Sequence, residues 1–122
     1  VVVCPSNPFL SIDTILAVKW VREKLKSSNA RVLAVSTIVG GDAVKGPTAN
    51  NLRDLGFSVS AYTIAKYYSD FIDGFMLDKE DENEISRIES LGIQVGLADT
   101  VMTDLQSKIK LAEDVLRFSK ML

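Results

Sequence analysis

Val32-Leu33-Ala34-Val35, followed directly by Ser36-Thr37-Ile38-Val39-Gly40-Gly41-Asp42-Ala43-Val44-Lys45-Gly46-Pro47, is the stretch that decides the fold. Four consecutive apolar residues read as a strand buried on both faces. Gly46-Pro47 marks a helix start, because proline suits a first helical turn, where its missing N–H is not needed. Strand, long glycine-bearing loop and helix form the repeating unit of α/β proteins, and such loops hold ligands. Gly40 and Gly41 allow backbone N–H groups to approach a ligand closely, and Lys45 adds a positive charge. That equipment suits an anionic, phosphorylated ligand. The stretch carries no Walker or dinucleotide fingerprint, and a plain long turn is the competing reading.

The same alternation extends in both directions. Val1-Val2-Val3-Cys4 is a second continuous apolar run, stopped by Pro5, and predicts another strand buried on both faces. Between the two runs, Ile12, Ile15, Leu16, Val18, Val21 and Leu25 give one apolar face to a helix opened by Ser11-Ile12-Asp13. Downstream the pattern predicts a helix from Pro47 to Leu55 stopped by Gly56, and a short strand over Phe57–Ala61. A helix near Thr63–Ile72 and a strand over Phe75–Leu77 follow, then a helix over Asp81–Leu91 and a strand over Ile93–Leu97. A last helix is capped by Thr103 or Asp104, with Ile109, Ala112, Leu116 and Met121 inward. Strands separated by helices pair in parallel with right-handed crossovers. The expected fold is therefore α/β, a Rossmann-like three-layer sandwich with a mostly parallel sheet, with no boundary inside residues 1–122. In such sheets ligands collect at the carboxyl ends of the strands. Here those ends are Pro5–Pro8, Ser36–Gly46, Ala61–Thr63, Asp78 and Ala98–Thr100. Because the chain opens inside what reads as a central strand, it is expected to be the carboxy-terminal portion of a larger domain.

Composition narrows the chemistry. The 122 residues are 47% hydrophobic and 25% charged, ordinary values for one globular domain. A net charge of −2 offers no electrostatic footprint for nucleic acid. No apolar run is long enough to span a bilayer and no signal peptide is visible, so the expected location is the cytoplasm. The single cysteine, Cys4, excludes an internal disulfide and reads as a buried thiol. Histidine is absent, which removes Ser-His-Asp and Cys-His catalysis and every His-containing zinc site within the chain.

At the end of the first strand, Pro5-Ser6-Asn7-Pro8 holds the Ser6 hydroxyl and the Asn7 amide in a stiff turn. Asn7 offers both a donor and an acceptor to a phosphate, base or sugar; an Asx turn is the alternative. The acidic run Asp78-Lys79-Glu80-Asp81-Glu82 suits a helix start through the helix dipole. Tyr67, Tyr68 and Trp20 read as packing residues. The candidate binding set is thus Ser6, Asn7, Ser36, Gly40, Gly41 and Lys45, with no metal ligands and no assigned catalytic group.

Taken together, Val1–Ile12 and Ala34–Pro47 resemble the 2-phospho-L-lactate transferase family of coenzyme F-420 biosynthesis. Gly56–Ala61, Tyr67-Tyr68-Ser69-Asp70-Phe71 and Ala98-Asp99-Thr100-Val101-Met102 fit in the same order. Thr37 departs from the pattern, since the family often has proline after the serine. The resemblance implies a Rossmann-like enzyme that moves a 2-phospholactyl or related phospho-acid group from a guanylylated donor to a deazaflavin precursor, releasing GMP and requiring Mg2+. It further implies that the family's glycine-rich phosphate loop and metal-associated acidic residue belong to a missing amino-terminal part. This segment then supplies one wall of the site and is inactive alone. A homodimer is left open. The alternative is a non-enzymatic regulator of the same superfamily fold that binds a sugar nucleotide. Its turn typically resembles Gly-Ser-Leu-Tyr-Thr-Ser, where this chain has Ser6-Asn7-Pro8-Phe9-Leu10-Ser11.

Overall fold

A computed structural model describes all residues, 1–122. Four strands form one parallel sheet in the order β1 (Val2–Val3), β2 (Leu33–Val35), β5 (Gly74–Asp78), β6 (Gln94–Ala98). In the sequence between β2 and β5 comes a separate, small antiparallel hairpin of β3 (Ile38–Val39) and β4 (Asp42–Ala43). The helices are α1 (Asp13–Leu16), α2 (Val21–Ser27), α3 (Thr48–Asp54), α4 (Ala61–Tyr68), α5 (Ile85–Glu89) and α6 (Leu105–Ser119). A π turn over Pro8–Ile12 precedes α1, and a 3-10 turn over Lys79–Glu84 precedes α5.

The expected α/β, mostly parallel architecture is what the chain adopts, and helices cover both faces of the sheet. Every residue of β2 and β5 is buried. On one face Val32, Ala34, Phe75 and Leu77 pack with Leu52, Ile64, Tyr68 and Ile88. On the other, Leu33, Val35, Met76 and Ala98 pack with Leu111, Val115 and Phe118 of α6. Full burial of the Val, Leu, Ile, Phe and Met side chains among these contributes roughly 1.5–3 kcal/mol each. α6 starts at Asp104, whose carboxylate accepts from the Ser107 N–H (2.8 Å) while the Ser107 hydroxyl accepts from the Asp104 N–H (3.0 Å).

Several local expectations change. β1 is parallel to β2 as expected, but it is an edge strand; Val2 is 41% exposed and Cys4 is exposed, not buried. The first helix is not continuous, because Trp20 takes a left-handed conformation (φ 75°) that breaks it between α1 and α2. Ile15, Val18 and Trp20 consequently point to solvent instead of packing. Residues 57–61 form no strand, since Ser60 instead caps α4 by accepting from the Thr63 N–H. On α6 the buried stripe is Leu111, Val115 and Phe118, while Ile109, Ala112, Leu116 and Met121 are exposed. The reason is steric fit. Gly74 and Gly96 leave room on the sheet for Phe118, and an added Cβ at Gly96 would lie 2.9 Å from the Phe118 ring.

Candidate functional site

The loops at the carboxyl ends of β1, β2 and β6 meet the start of α3 around a crevice of about 140 Å³. Ser6, Asn7, Ser36 and Lys45 all line it, joined by Thr37, Thr48, Thr100 and Met102. Pockets that hold a whole small molecule usually measure roughly 300–1,000 Å³. This crevice has the size of a subsite for one polar group.

The polar groups around it differ in how far they are already committed. Asn7 is heavily used: its Oδ1 accepts from the Phe9 (3.0 Å) and Leu10 (2.9 Å) N–H groups, and its Nδ2 donates to Asn51 Oδ1 (2.8 Å). The Asx-type role is therefore present, and one amide proton is left over. The buried Ser36 hydroxyl donates to the Ile38 carbonyl (2.7 Å) and accepts from the Ile38 N–H (3.2 Å), shaping the entry to the hairpin. Lys45 is exposed and forms no ion pair. The Thr37 hydroxyl is buried and has no hydrogen-bond partner. An orphaned buried hydroxyl costs about 1–3 kcal/mol.

Gly40 and Gly41 lie outside this crevice. Both have positive φ (59° and 79°) and together make the two-residue turn of the β3–β4 hairpin, which demands that conformation. The Gly40 N–H donates to the Asp81 carboxylate (3.1 Å), and a Cβ there would come 2.8 Å from Glu80 Oε2. Burial pushes the Asp81 carboxyl above its usual range, against the opposing pull of that N–H.

Asp78, at the end of β5, is also buried. Its Oδ2 accepts from the Thr100 N–H and hydroxyl (both 2.7 Å), and its Oδ1 accepts from the Glu80 N–H (3.0 Å). The carboxylate thereby holds Thr100 at the crevice and caps the 3-10 turn. Asp99 is different: exposed, held below the usual carboxylate range by Lys110 and then Lys79, each in an ion pair with it. No group of three or more acidic, cysteine or histidine side chains gathers to hold a cation. With both Asp78 oxygens occupied by donors, these residues do not fit a magnesium cage.

A groove of about 430 Å³ opens elsewhere, lined by Phe9, Phe57, Tyr62, Tyr67, Lys66 and Arg87 among others. The Arg87 guanidinium stacks 3.7 Å from the Tyr62 ring centroid. Tyr67 bonds to Asp13, and burial with that carboxylate pushes its hydroxyl up to about 12. None of the sequence-predicted binding residues lines this groove. Sequence reading missed Thr48 and Met102 at the crevice and treated Thr37 only as a departure from a pattern. Strand-end position was the available signal for Thr37 and Thr100; Thr48 and Met102 arrive through loop geometry.

Comparison with known proteins places the chain. The family model described as 2-phospho-L-lactate transferase CofD matches residues 1–116. A 2-phospho-L-lactate transferase of Methanosarcina mazei is 38% identical over 117 residues, covering 96% of this chain and 38% of the relative. That of Methanocaldococcus jannaschii is 35% identical over 118 residues, 97% of this chain and 36% of the relative. A phosphoenolpyruvate transferase of Kitasatospora aureofaciens is 35% identical over 117 residues, 95% and 36% respectively. The chain thus spans little more than a third of the length of these curated relatives, and matches their carboxy-terminal portion. It belongs to the 2-phospho-L-lactate transferase family. No helix is long and apolar enough to cross a membrane.

Proposed function

We propose that this chain forms one wall of a transferase site in which the crevice beside Lys45 receives a phosphate-bearing part of a guanylylated phospho-acid donor. The full enzyme then passes the phospho-acid group to a hydroxyl of a deazaflavin precursor and releases GMP. The observation that carries the reading is that Lys45, free of any ion pair, and Thr37, whose buried hydroxyl has no partner, line one crevice at the carboxyl ends of parallel strands. A wall of this kind positions an anion and offsets its charge, which is most of what phosphoryl-type transfer asks of a protein. Ser6 and the spare Asn7 amide proton add neutral donors. Gly40 and Gly41 enter the proposal through the hairpin that carries Val44 and Lys45 to the crevice. The family's magnesium belongs with ligands outside this chain.

The test uses an enzyme of family length, made by replacing the matched portion of the Methanosarcina mazei relative with this chain. Lys45→Ala is expected to weaken binding of guanylylated 2-phospholactate tenfold to a hundredfold, the loss of roughly 1–3 kcal/mol for a charged contact. The deficit should shrink as salt is raised, because a charge contact is screened. Asn7→Ala should lower the melting temperature, with a smaller effect on donor affinity. Unchanged donor affinity in Lys45→Ala would refute the assignment. Preference of the chimera for a uridine sugar nucleotide over a guanine nucleotide would favour the regulator instead.

A further inference from the structure

Within the acidic run that follows β5, two carboxylates face different ways. Asp78 supplies the helix cap, its Oδ1 accepting from the Glu80 N–H (3.0 Å). Asp81 leaves helical geometry inside the 3-10 turn (φ −105°, ψ 19°) and is buried, 6% exposed, with no cation paired to it. Taking a carboxylate out of water without a counter-charge is costly. The hydrogen bond it accepts comes from the Gly40 N–H (3.1 Å), at the tip of the β3–β4 hairpin. That hairpin has little else to hold its shape. Each strand is two residues long, and a two-stranded ribbon is marginal by itself. At the base, Ile38 is fully buried and bonded to the Ser36 hydroxyl, and the Val44 N–H donates to the Thr37 carbonyl (3.4 Å). Lys45 follows Val44 directly and lines the crevice with Thr37. At the tip, the side chain that ties the glycine turn to the end of β5 is Asp81.

We propose that Asp81 is a positioning residue for donor binding: by tying down the Gly40 turn, it fixes where the hairpin presents Lys45 at the crevice. The inference deepens the functional reading above and rests on it. The hairpin is the mechanical link. Gly40 and Gly41 let the turn close, and the β3–β4 pairing carries its orientation back to Thr37 and Val44. A loosened tip lets the near end swing, and a misplacement of about 1 Å is enough to lose most of the benefit of a well-placed contact. Such coupling is reciprocal: whatever factor the tie adds to donor affinity, bound donor must add to the tie.

The test is a double-mutant cycle in the chimera of family length, read as the dissociation constant for guanylylated 2-phospholactate. Asp81→Ala should weaken binding about tenfold while Lys45 is present and less than about twofold in the Lys45→Ala background, because the tie acts through that side chain. Asp81→Asn keeps an oxygen for the Gly40 N–H and should restore affinity to within about threefold of the parent. A merely structural Asp81 would lower affinity by the same factor in both backgrounds, and that result would overturn the inference, as would an Asp81→Ala chimera that binds like its parent. A second measurement needs no substitution. Saturating donor should slow hydrogen exchange of the Gly40 amide in the parent chimera about tenfold, the reciprocal of the affinity effect. An unchanged Gly40 amide would overturn the inference even where Asp81→Ala does not fold. Full donor affinity in Lys45→Ala would refute the functional reading and this inference together. A Lys45→Ala deficit without coupling to Asp81 would overturn this inference alone.

Discussion

β1 and β2 begin from nearly the same instruction and end in opposite surroundings. Val1-Val2-Val3-Cys4 and Val32-Leu33-Ala34-Val35 are both unbroken apolar runs, and they pair in parallel. All four residues of the second run are buried, Leu33 and Ala34 completely, whereas three of the first four are exposed. The difference lies in what each strand has beside it. β2 has β1 and β5 as neighbours, one core cluster on each face, and α6 beyond. β1 has one neighbour and one half-covered face. Burial is a property of neighbours, and a residue's hydrophobicity records only which neighbours it is suited to.

The largest effect expected from that contrast is in truncation. Leu33→Ala removes a fully buried side chain and should cost about 2–5 kcal/mol. Val2→Ala, directly opposite it, should cost well under about 1 kcal/mol in this chain. Denaturant titration of the two variants checks both, and equal losses would mean that β1 is covered in solution.

A smaller effect concerns the connection leaving β1. Trp20 is the only non-glycine residue with positive φ, and it is 60% exposed. A bulky side chain held there costs on the order of 1–3 kcal/mol, which glycine avoids. Trp20→Gly forfeits the Lys19 contact over the ring (4.8 Å), a weak exposed interaction, and should still raise the melting temperature. A lower melting temperature would show that the indole is packed against something.

The smallest effect is electrostatic and joins the same connection to the core. Arg22 and Lys26 of α2 both bond to Asp70, just beyond α4. The Arg22 hydrogen bond is the main cause holding the Asp70 carboxyl below its ordinary range, and Lys26 adds to it. A carboxyl depressed in the folded state contributes stability that is full above its unfolded value, near 4, and disappears as pH falls through the folded value. Asp70→Asn should therefore lower stability at pH 7 slightly and flatten the acid limb of the pH–stability curve. The pair is about one-third exposed, so the effect is small. An unchanged acid limb would show that the pair does not form in solution.

The residues that were legible in advance are those whose behaviour is local. Apolar runs predicted the parallel strands, Gly56 the end of α3, and Asp104 the start of α6. Strand-end position also predicts that Asn7 and Lys45 face one crevice, and Ser6 and Ser36 line it with them. Gly40 and Gly41, expected to bring backbone N–H groups to a ligand, make a hairpin turn, because β3 and β4 pair with each other inside what reads as an open loop. On α6, two apolar stripes compete at helical spacing. Only the space above Gly74 and Gly96 selects the one carrying Phe118.

Taken alone, the amino-acid sequence determined the alternation of strand and helix, the parallel pairing that alternation requires, and a histidine-free, weakly charged chemistry. It also carried, in two long blocks, a resemblance to the family to which the chain belongs. These follow from backbone periodicity, side-chain type and local capping, which need no distant partner. Tertiary structure alone decided that β1 is open, that α6 turns Phe118 inward and that the Asn7 amide is mostly spent on its own turn. It also decided that the Thr37 hydroxyl goes unpartnered and Lys45 unpaired among the crevice residues. Each of those outcomes depends on which remote groups reach the same point in space, and one-dimensional pattern holds no record of that.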